Sequence, residues 1–151
     1  MSTTVLLYNQ LTAIKDLIIA AGIEGLGDGA VFVTRLAKPP QSGIDCVTIN
    51  RAPRTAVIDT AGTALFTYFV EITVWKKWVS GVPYTHEKAV EQDLLTVSSV
   101  YYAINQKQVG DTYFVISSMY DAYTRDKESV GTSMLGSFQH AVSSGGAESV
   151  E

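Results

Sequence analysis

The sequence predicts an α+β protein in which a mostly antiparallel sheet is covered by two amphipathic helices. Two segments carry apolar residues at the three- and four-residue spacing of a helix, and several others alternate between apolar and polar residues, as strands do. The chain has 151 residues, a typical length for one domain. We therefore expect a single compact domain over residues 1–142 and a flexible C-terminal tail at 143–151, where Ser, Gly and Glu dominate.

Composition narrows the classes of function. Charged residues make up 17% of the chain, below the typical value of about 25%, which fits a surface partly covered by partners as well as a surface rich in Ser and Thr. The net charge of −4 disfavours a protein that grips phosphates, although nucleic acid can still pass through a mildly acidic channel. No segment is long and apolar enough for a membrane-spanning helix, and residues 1–4 lack a basic leader.

The first predicted element is a helix at residues 4–21. Its apolar stripe consists of Leu7, Leu11, Ile14 and Ile18. Gly22 is expected to end the helix in a left-handed conformation. Gly25, Gly27 and Gly29 follow with the spacing of a nucleotide-binding loop. Such a loop needs a strand before it and a helix after it, and the order here is the reverse, so we expect a linker.

Shorter strands come next, at residues 30–36 and 44–50, separated by a turn around Pro39 and Pro40. Cys46, the single cysteine, lies in the second of them and is expected to be a small core residue. We expect this strand to end at residues 51–54, because Pro53 cannot donate a hydrogen bond to a neighbouring strand. Residues 55–62 fit either a short strand or an extended loop.

A long strand at residues 65–78 is the most informative segment of the chain. One of its faces is apolar and is expected to face the core: Phe66, Tyr68, Val70, Ile72 and Val74. The other face is mixed: Leu65, Thr67, Phe69, Glu71, Thr73, Trp75 and Lys77. Two aromatic residues among polar ones suit an interface better than open solvent.

The second helix is expected from an N-cap at Thr85 to about Gln106. Its predicted stripe is Val90, Leu94, Val97, Tyr101 and Ile104. Two further strands, at residues 112–120 and 133–142, are expected to pair antiparallel across a charged loop at 121–131. On the last strand, one face carries Met134, Phe138 and Val142.

No grouping of residues indicates catalysis, a cofactor or a metal. His86 and His140 have no further ligand at metal-binding spacing, and no phosphate-binding loop or serine elbow is present. The loop carboxylates Asp121, Asp126 and Glu128 alternate with basic residues, which is typical of a solvated turn. We therefore expect a protein that is not an enzyme and that has no catalytic, cofactor-binding or metal-binding residues.

The end of the long strand, Trp75-Lys76-Lys77-Trp78, is the strongest candidate for a site. Tryptophan is enriched where proteins contact one another, since it buries a large area at low entropic cost. Aromatic and basic residues together also bind nucleic acid, but two lysines form a small patch in an acidic chain. We favour an interface or core role over nucleic-acid contact. The candidate subunit-interface residues are Phe69, Trp75, Lys76, Lys77 and Trp78.

The order of elements resembles the tail terminator proteins of tailed bacteriophages, also described as neck or tail-completion proteins. The matching segments are the helix at 5–20, the strands at 30–36 and 44–50, the long strand ending Val-Glu-Ile-Thr-Val-Trp at 70–75, the helix at 87–105 and the closing pair of strands. The resemblance extends to about Val142. It rests on the order and length of elements rather than on a signature motif.

This resemblance implies a structural virion protein. Members form a ring, commonly a hexamer, on the last ring of the tail tube, where they stop tail polymerisation and offer a surface to the neck or connector. DNA passes through the hole without specific binding, and no membrane is involved. The expected partners are further copies of the chain, tail tube and neck or connector proteins, and the sheath where one is present. The expected location is the virion, and the host cytoplasm during assembly.

Two alternatives remain open at this point. One is another phage neck, tail-tube or head–tail adaptor protein. The other belongs to a different class, a small α+β enzyme or ligand-binding domain with a pocket between sheet and helix. Aromatic residues available to line such a pocket are Tyr68, Tyr101, Tyr113 and Tyr120. Tyrosines on a sheet are more often packing residues.

Overall fold

The computed structural model of the chain describes residues 3–35, 38–40, 44–60, 62–77, 83–110, 112–123 and 129–143. The helices are α1 (Thr3–Ala20) and α2 (Pro83–Ile104), and a short 3-10 helix spans Asp28–Ala30. The strands are β1 (Val31–Thr34), β2 (Cys46–Thr60), β3 (Thr63–Lys77), β4 (Lys107–Val109), β5 (Thr112–Tyr123) and β6 (Ser129–Ser143). The predicted α+β fold is confirmed.

The six strands form one sheet in the order β1-β2-β3-β6-β5-β4. Every neighbouring pair is antiparallel except β1 and β2. Both helices pack against the same side of the sheet, which we call the helix face. One core forms there, and it includes Ile14 and Ile18 of α1, Val100 and Ile104 of α2, and Val70, Ile72 and Val74 of β3. The predicted core face of the long strand is therefore confirmed.

The first helix agrees closely with its prediction. Leu11, Ile14 and Ile18 are buried, and Gly22 follows the helix with a φ angle of 65°, as a left-handed C-terminal residue requires. The side chain of Leu7 lies outside the described residues. The glycine-rich segment after the helix leads through the 3-10 turn into β1, as expected for a linker.

The second helix differs from its prediction at its start and on its buried face. It begins at Pro83, so Thr85 lies inside it and is not the N-cap; proline is favoured in a first helical turn because it has no N–H to satisfy there. Val97, Val100 and Ile104 are buried, whereas Leu94 is 56% exposed and the side chain of Val90 lies outside the described residues. The buried stripe is thus rotated relative to the predicted one.

The prediction that a strand ends at residues 51–54 is wrong. β2 continues from Cys46 to Thr60 and takes in the ambiguous segment after Pro53. Its register against β3 shifts between Arg51 and Thr55. A bulge of this kind leaves a residue unpaired, so the strand accommodates a proline without losing a required hydrogen bond.

The last two strands pair antiparallel, as predicted, but both are longer than expected. β5 runs to Tyr123 and β6 begins at Ser129, so the charged loop is shorter than the predicted 121–131, and residues 124–128 lie outside the described part. Met134 and Phe138 are buried on the helix face. β4 was not predicted, because three residues are too few for an alternation pattern. The predicted tail lies outside the described residues from position 144 onward.

The ring of Phe114 on β5 occupies space that is available because the adjacent strand β6 has a glycine, Gly136, at this position. A Cβ atom at Gly136 of β6 would collide with the ring of Phe114. The fully buried ring therefore lies over the glycine backbone and fills the helix face at this point. Together with Asn105, whose side chain accepts a hydrogen bond from the Ile116 N–H at 2.9 Å, it fixes the start of β5 against the end of α2.

Candidate subunit-interface site

The Trp-Lys-Lys-Trp motif does not form a single patch in the structure. Trp75 and Lys76 are consecutive residues of β3, so their side chains lie on opposite faces of the sheet. Trp75 lies on the face away from the helices and Lys76 on the helix face. The backbone of Lys77 is paired with Ser129, while the side chain of Lys77 and all of Trp78 lie outside the described residues.

Trp75 is buried within the subunit, with 2% of its surface exposed. Its indole Nε1–H donates a hydrogen bond of 2.9 Å to Oγ1 of Thr48 on β2. On its other side, the paired residue of β6 is Gly131, where a Cβ atom would collide with the Val74 carbonyl. Of the two roles proposed for this tryptophan, interface or core, the structure gives it a core role in the single chain.

Lys76 lies at the rim of the helix face. Its Nζ is 3.9 Å from a carboxylate oxygen of Asp45, an exposed pair that contributes little to stability. Asp93 of α2 also faces this end of the sheet. Burial raises the pKa of Asp93, and the positive charge of Lys76 partly opposes this shift. Lys76 therefore lies beside two acidic groups of its own subunit.

Phe69 lies half-buried in the middle of β3, on the face away from the helices. Phe69 is paired with Ser137 of β6, and it shares its face of β3 with Leu65 and Glu71. On this face of β3, the residues near the C-terminal end of the strand are buried, namely Thr73 and Trp75. Leu65, Phe69 and Glu71, which lie nearer its N-terminal end, are half-buried. The end of this face near the β2–β3 turn is thus the more accessible one, and Phe69 belongs to it.

Hydrogen bonds between side chains cross the same face. Asn50 Nδ2 donates to Glu71 Oε1 at 3.3 Å, and the Tyr120 hydroxyl donates to the other oxygen of Glu71. The hydroxyl oxygens of Thr73 and Ser133 are 2.7 Å apart. These contacts link β3 to β2, to β5 and to β6. Burial, followed by the hydrogen bond with Glu71, raises the pKa of Tyr120 to about 12, so the hydroxyl remains a donor at neutral pH.

Two stretches of the sheet edge have no strand beside them in the described part of the chain. β1 covers β2 only at residues 47–50, which leaves residues 55–60 open; we call these the upper edge. β4 covers β5 only at residues 112–114, which leaves residues 118–123 open; we call these the lower edge. Each stretch is six residues long and in regular register with its inner neighbour. Neither edge is evident from the sequence patterns alone.

Both open edges carry large apolar side chains on both faces of the sheet. Val57 and Ile58 on the upper edge are 50% and 58% exposed, and Met119 and Tyr120 on the lower edge are 47% and 42% exposed. Proteins usually protect an edge strand with charges, proline or a short length, because its free N–H and C=O groups pair with other strands. In sequence, each of these two edges carries a single charged residue, Asp59 or Asp121, beside its apolar residues.

The four tyrosines considered as pocket residues lie apart. Tyr68 is buried in the core against Phe138, Tyr101 accepts a hydrogen bond from Asn105, Tyr113 is exposed, and Tyr120 bonds to Glu71 on the opposite face. An open groove of about 920 Å³ does exist beside α2. It lies between the loop after α1 and the C-terminal half of α2, and Leu95, Tyr102 and Lys76 are among its lining residues.

Metal-binding clusters and membrane-spanning helices are both absent from the described residues. No group of three or more His, Cys, Asp or Glu side chains in that part of the chain is arranged to hold a metal ion. Neither helix is long and apolar enough to cross a membrane, again among the residues that are described. Cys46 is a free, buried thiol, as predicted.

No protein-family model matches the sequence, and no curated protein matches it either. Among solved structures, the chain is similar to one chain in the structure of the virion of a native gene transfer agent (GTA) particle. The two share 12% sequence identity and superpose with a TM-score of 0.49. The match covers 85% of this chain and 92% of that chain.

Proposed function

We propose that the protein is a structural virion protein of a tailed phage, a tail terminator that forms a ring at the head-proximal end of the tail tube. The ring, commonly a hexamer in the family that the sequence resembles, ends tail polymerisation and joins the tail to the neck or connector. DNA passes through its hole without being bound specifically. The proposal includes no catalysis and no cofactor, and it places the protein in the host cytoplasm during assembly and in the virion afterwards.

The observation that carries this proposal is the presence of two different open edges on one subunit. A ring is built from heterologous contacts, in which one surface of a subunit binds a different surface of the next. The upper edge on β2 and the lower edge on β5 lie at opposite sides of the sheet and have different sequences. Two different surfaces that can each pair with another strand favour head-to-tail assembly, because a two-fold dimer uses the same surface on both subunits.

The element order gives a second line of support. The resemblance to tail terminators was based on a helix, strands, a long strand, a second helix and a closing pair of strands, and this is the order along the folded chain. The predicted long strand has 15 residues, as do β2 and β6, and the additional strand β4 has three.

The first experiment measures the mass and shape of the purified protein by light scattering after gel filtration and by negative-stain electron microscopy. We expect a ring, formed by the protein alone or when tail tubes are added, with a hole of about 20 Å or more, since B-form DNA must pass. A protein that stays a monomer in both conditions contradicts the proposal.

A second experiment distinguishes a terminator from a head–tail adaptor, the alternative within the same class. Tail tubes are polymerised with and without the protein, and a gold-labelled affinity tag locates it by electron microscopy. A terminator is expected to sit at one tube end and to stop further growth there. Label on the head connector, with tube growth unchanged, contradicts the terminator role and favours an adaptor.

A further inference from the structure

We propose that neighbouring subunits join by β-sheet pairing, in which the lower edge of one subunit (residues 118–123) pairs antiparallel with the upper edge of the next (residues 55–60). The sheets then form one continuous sheet around the ring. This inference rests on the proposed ring function and identifies the contact that builds it. The partner is a second copy of this chain.

The strand directions of the subunit favour such a closure. β2, β3, β6 and β5 alternate in direction without exception, because each neighbouring pair among them is antiparallel. β2 and β5, at the two ends of this series, therefore run in opposite directions. The rotation that relates ring subunits leaves the direction of each strand relative to the ring axis unchanged. β5 of one subunit therefore meets β2 of the next subunit as an antiparallel partner. The alternation continues unbroken around the ring.

The positions of the open edges are complementary as well. The upper edge lies near the β2–β3 turn, because β1 occupies the far end of β2. The lower edge lies at the end away from that turn, because β4 occupies the near end of β5. A subunit that pairs its lower edge with its neighbour's upper edge is thus displaced along the strands. Closed sheets require a displacement of this kind, since their strands are tilted and staggered relative to the barrel axis.

The length of the edges and their exposed apolar side chains favour pairing with another β-strand. Both edges are six residues long, which corresponds to about 20 Å of strand. Each exposes large apolar side chains on both faces, as a strand inside a sheet does and an edge strand in contact with water usually does not. Pairing covers these side chains and satisfies the backbone groups at the same time.

Continuity of the two faces restricts the register. Val57 and Met119 lie on the helix face, where they are paired with Phe66 and Met134, whereas Ile58 and Tyr120 lie on the opposite face. Residues opposite each other across a contact must share a face, because a slip by one residue inverts every side chain. Within residues 118–123, Val57 is therefore restricted to odd-numbered partners and Ile58 to even-numbered ones. The register that overlaps the two edges completely pairs Val57 with Asp121 and Ile58 with Tyr120.

Cysteine cross-linking tests this contact. The native Cys46 is fully buried, so new surface cysteines are the reactive thiols. Double variants combine Val57→Cys with Met119→Cys, Tyr120→Cys or Asp121→Cys, and rings formed alone or on tail tubes are oxidised with diamide. Directly paired residues lie about 4.5–5.5 Å apart between Cα atoms, within the range of a disulfide. We expect a ladder of covalent oligomers on non-reducing gels with Asp121→Cys or Met119→Cys, and monomer with Tyr120→Cys.

The antiparallel direction gives a sharper criterion. When the first cysteine is moved from Val57 to Thr55, the best partner on β5 is expected to move two residues towards its C-terminus, to Tyr123 in the fully overlapping register. Parallel pairing would move it in the other direction. The matched control is Tyr113→Cys with Val57→Cys, because Tyr113 is also exposed but its edge is covered by β4; this pair is expected to give monomer.

The outcomes separate this inference from the proposed function. A ring without a ladder at any position of the scan overturns edge pairing and leaves the ring function intact. Equal cross-linking of Val57→Cys to odd and even positions also overturns it, since strands in register cannot produce that pattern. A protein that forms no ring in either condition contradicts the proposed function and, with it, the contact.

Discussion

At the scale of single residues, the hydrogen bond between Trp75 and Thr48 is a buried polar contact on the sheet face away from the helices. Trp75→Phe removes the donor and leaves the buried Thr48 hydroxyl without it, so we expect the free energy of unfolding to fall by about 1–3 kcal/mol. The double variant Trp75→Phe/Thr48→Val should lose about 1 kcal/mol less than the sum of the losses of the two single variants. Urea unfolding of the four proteins measures both quantities; strictly additive losses would show that the two side chains are not coupled.

The thiol of Cys46 makes stability depend on pH in the alkaline range. Burial, with a contribution from the negative charge of Asp45, raises the pKa of Cys46 to about 11. The unfolded thiol ionises near pH 9, so rising pH favours the unfolded state between about pH 9 and 11. We expect the free energy of unfolding to decrease over this range and to decrease less in Cys46→Ala. Equal slopes for the two proteins between pH 8 and 10.5 would contradict this.

Residues of the candidate site illustrate what a strand pattern can and cannot predict. Alternation along the long strand correctly assigned its apolar face, but the interpretation of Trp75 to Trp78 as one site overlooked that consecutive residues of a strand lie on opposite faces. It could not show that Trp75 is covered within the subunit, because that depends on Thr48 and Gly131 in strands far away in sequence. The interface role of Phe69, Lys76, Lys77 and Trp78 remains a prediction.

At the scale of elements, the face that α2 buries can be tested directly. Val97 is buried and Leu94, three residues before it, is 56% exposed. Val97→Ala is expected to lower the free energy of unfolding by about 2 kcal/mol, from two lost methyl groups and the remaining cavity. Leu94→Ala, the matched control, should change it by less than about 0.5 kcal/mol. Urea unfolding with unchanged m values checks both, and a larger loss at Leu94 would restore the predicted stripe.

The order and type of the long elements followed from periodicity, whereas the ends of the strands did not. Pro53 argued for the end of a strand, but a bulge on an open edge allows the strand to continue. The two open edges could not be predicted from sequence either. They exist because β1 and β4 are four and three residues long and cover only one end each of longer neighbours, and strand length in such short segments depends on tertiary pairing.

At the scale of the whole molecule, the charge balance predicts weak interaction with DNA. The chain carries a net charge of −4, and Lys76 is paired with Asp45. With fluorescently labelled duplex DNA at about 0.15 M salt, we expect no anisotropy change at protein concentrations of about 10⁻⁶ to 10⁻⁴ M, the range in which non-specific DNA-binding proteins bind. Binding in this range that weakens steeply with added salt would contradict a conduit that releases its cargo freely.

β6, the last strand along the described part of the chain, is one of the two central strands of the sheet. β6 is hydrogen-bonded to β3 on one side and to β5 on the other, and it follows every other strand in sequence. During synthesis, the β1-β2-β3 part and the β4-β5 part therefore have no connection within the sheet until residues 129–143 leave the ribosome. Because both open edges belong to strands that β6 brings into one sheet, a nascent chain cannot present the complete pair of contacts. The order of strands thus delays assembly until β6 has been synthesised.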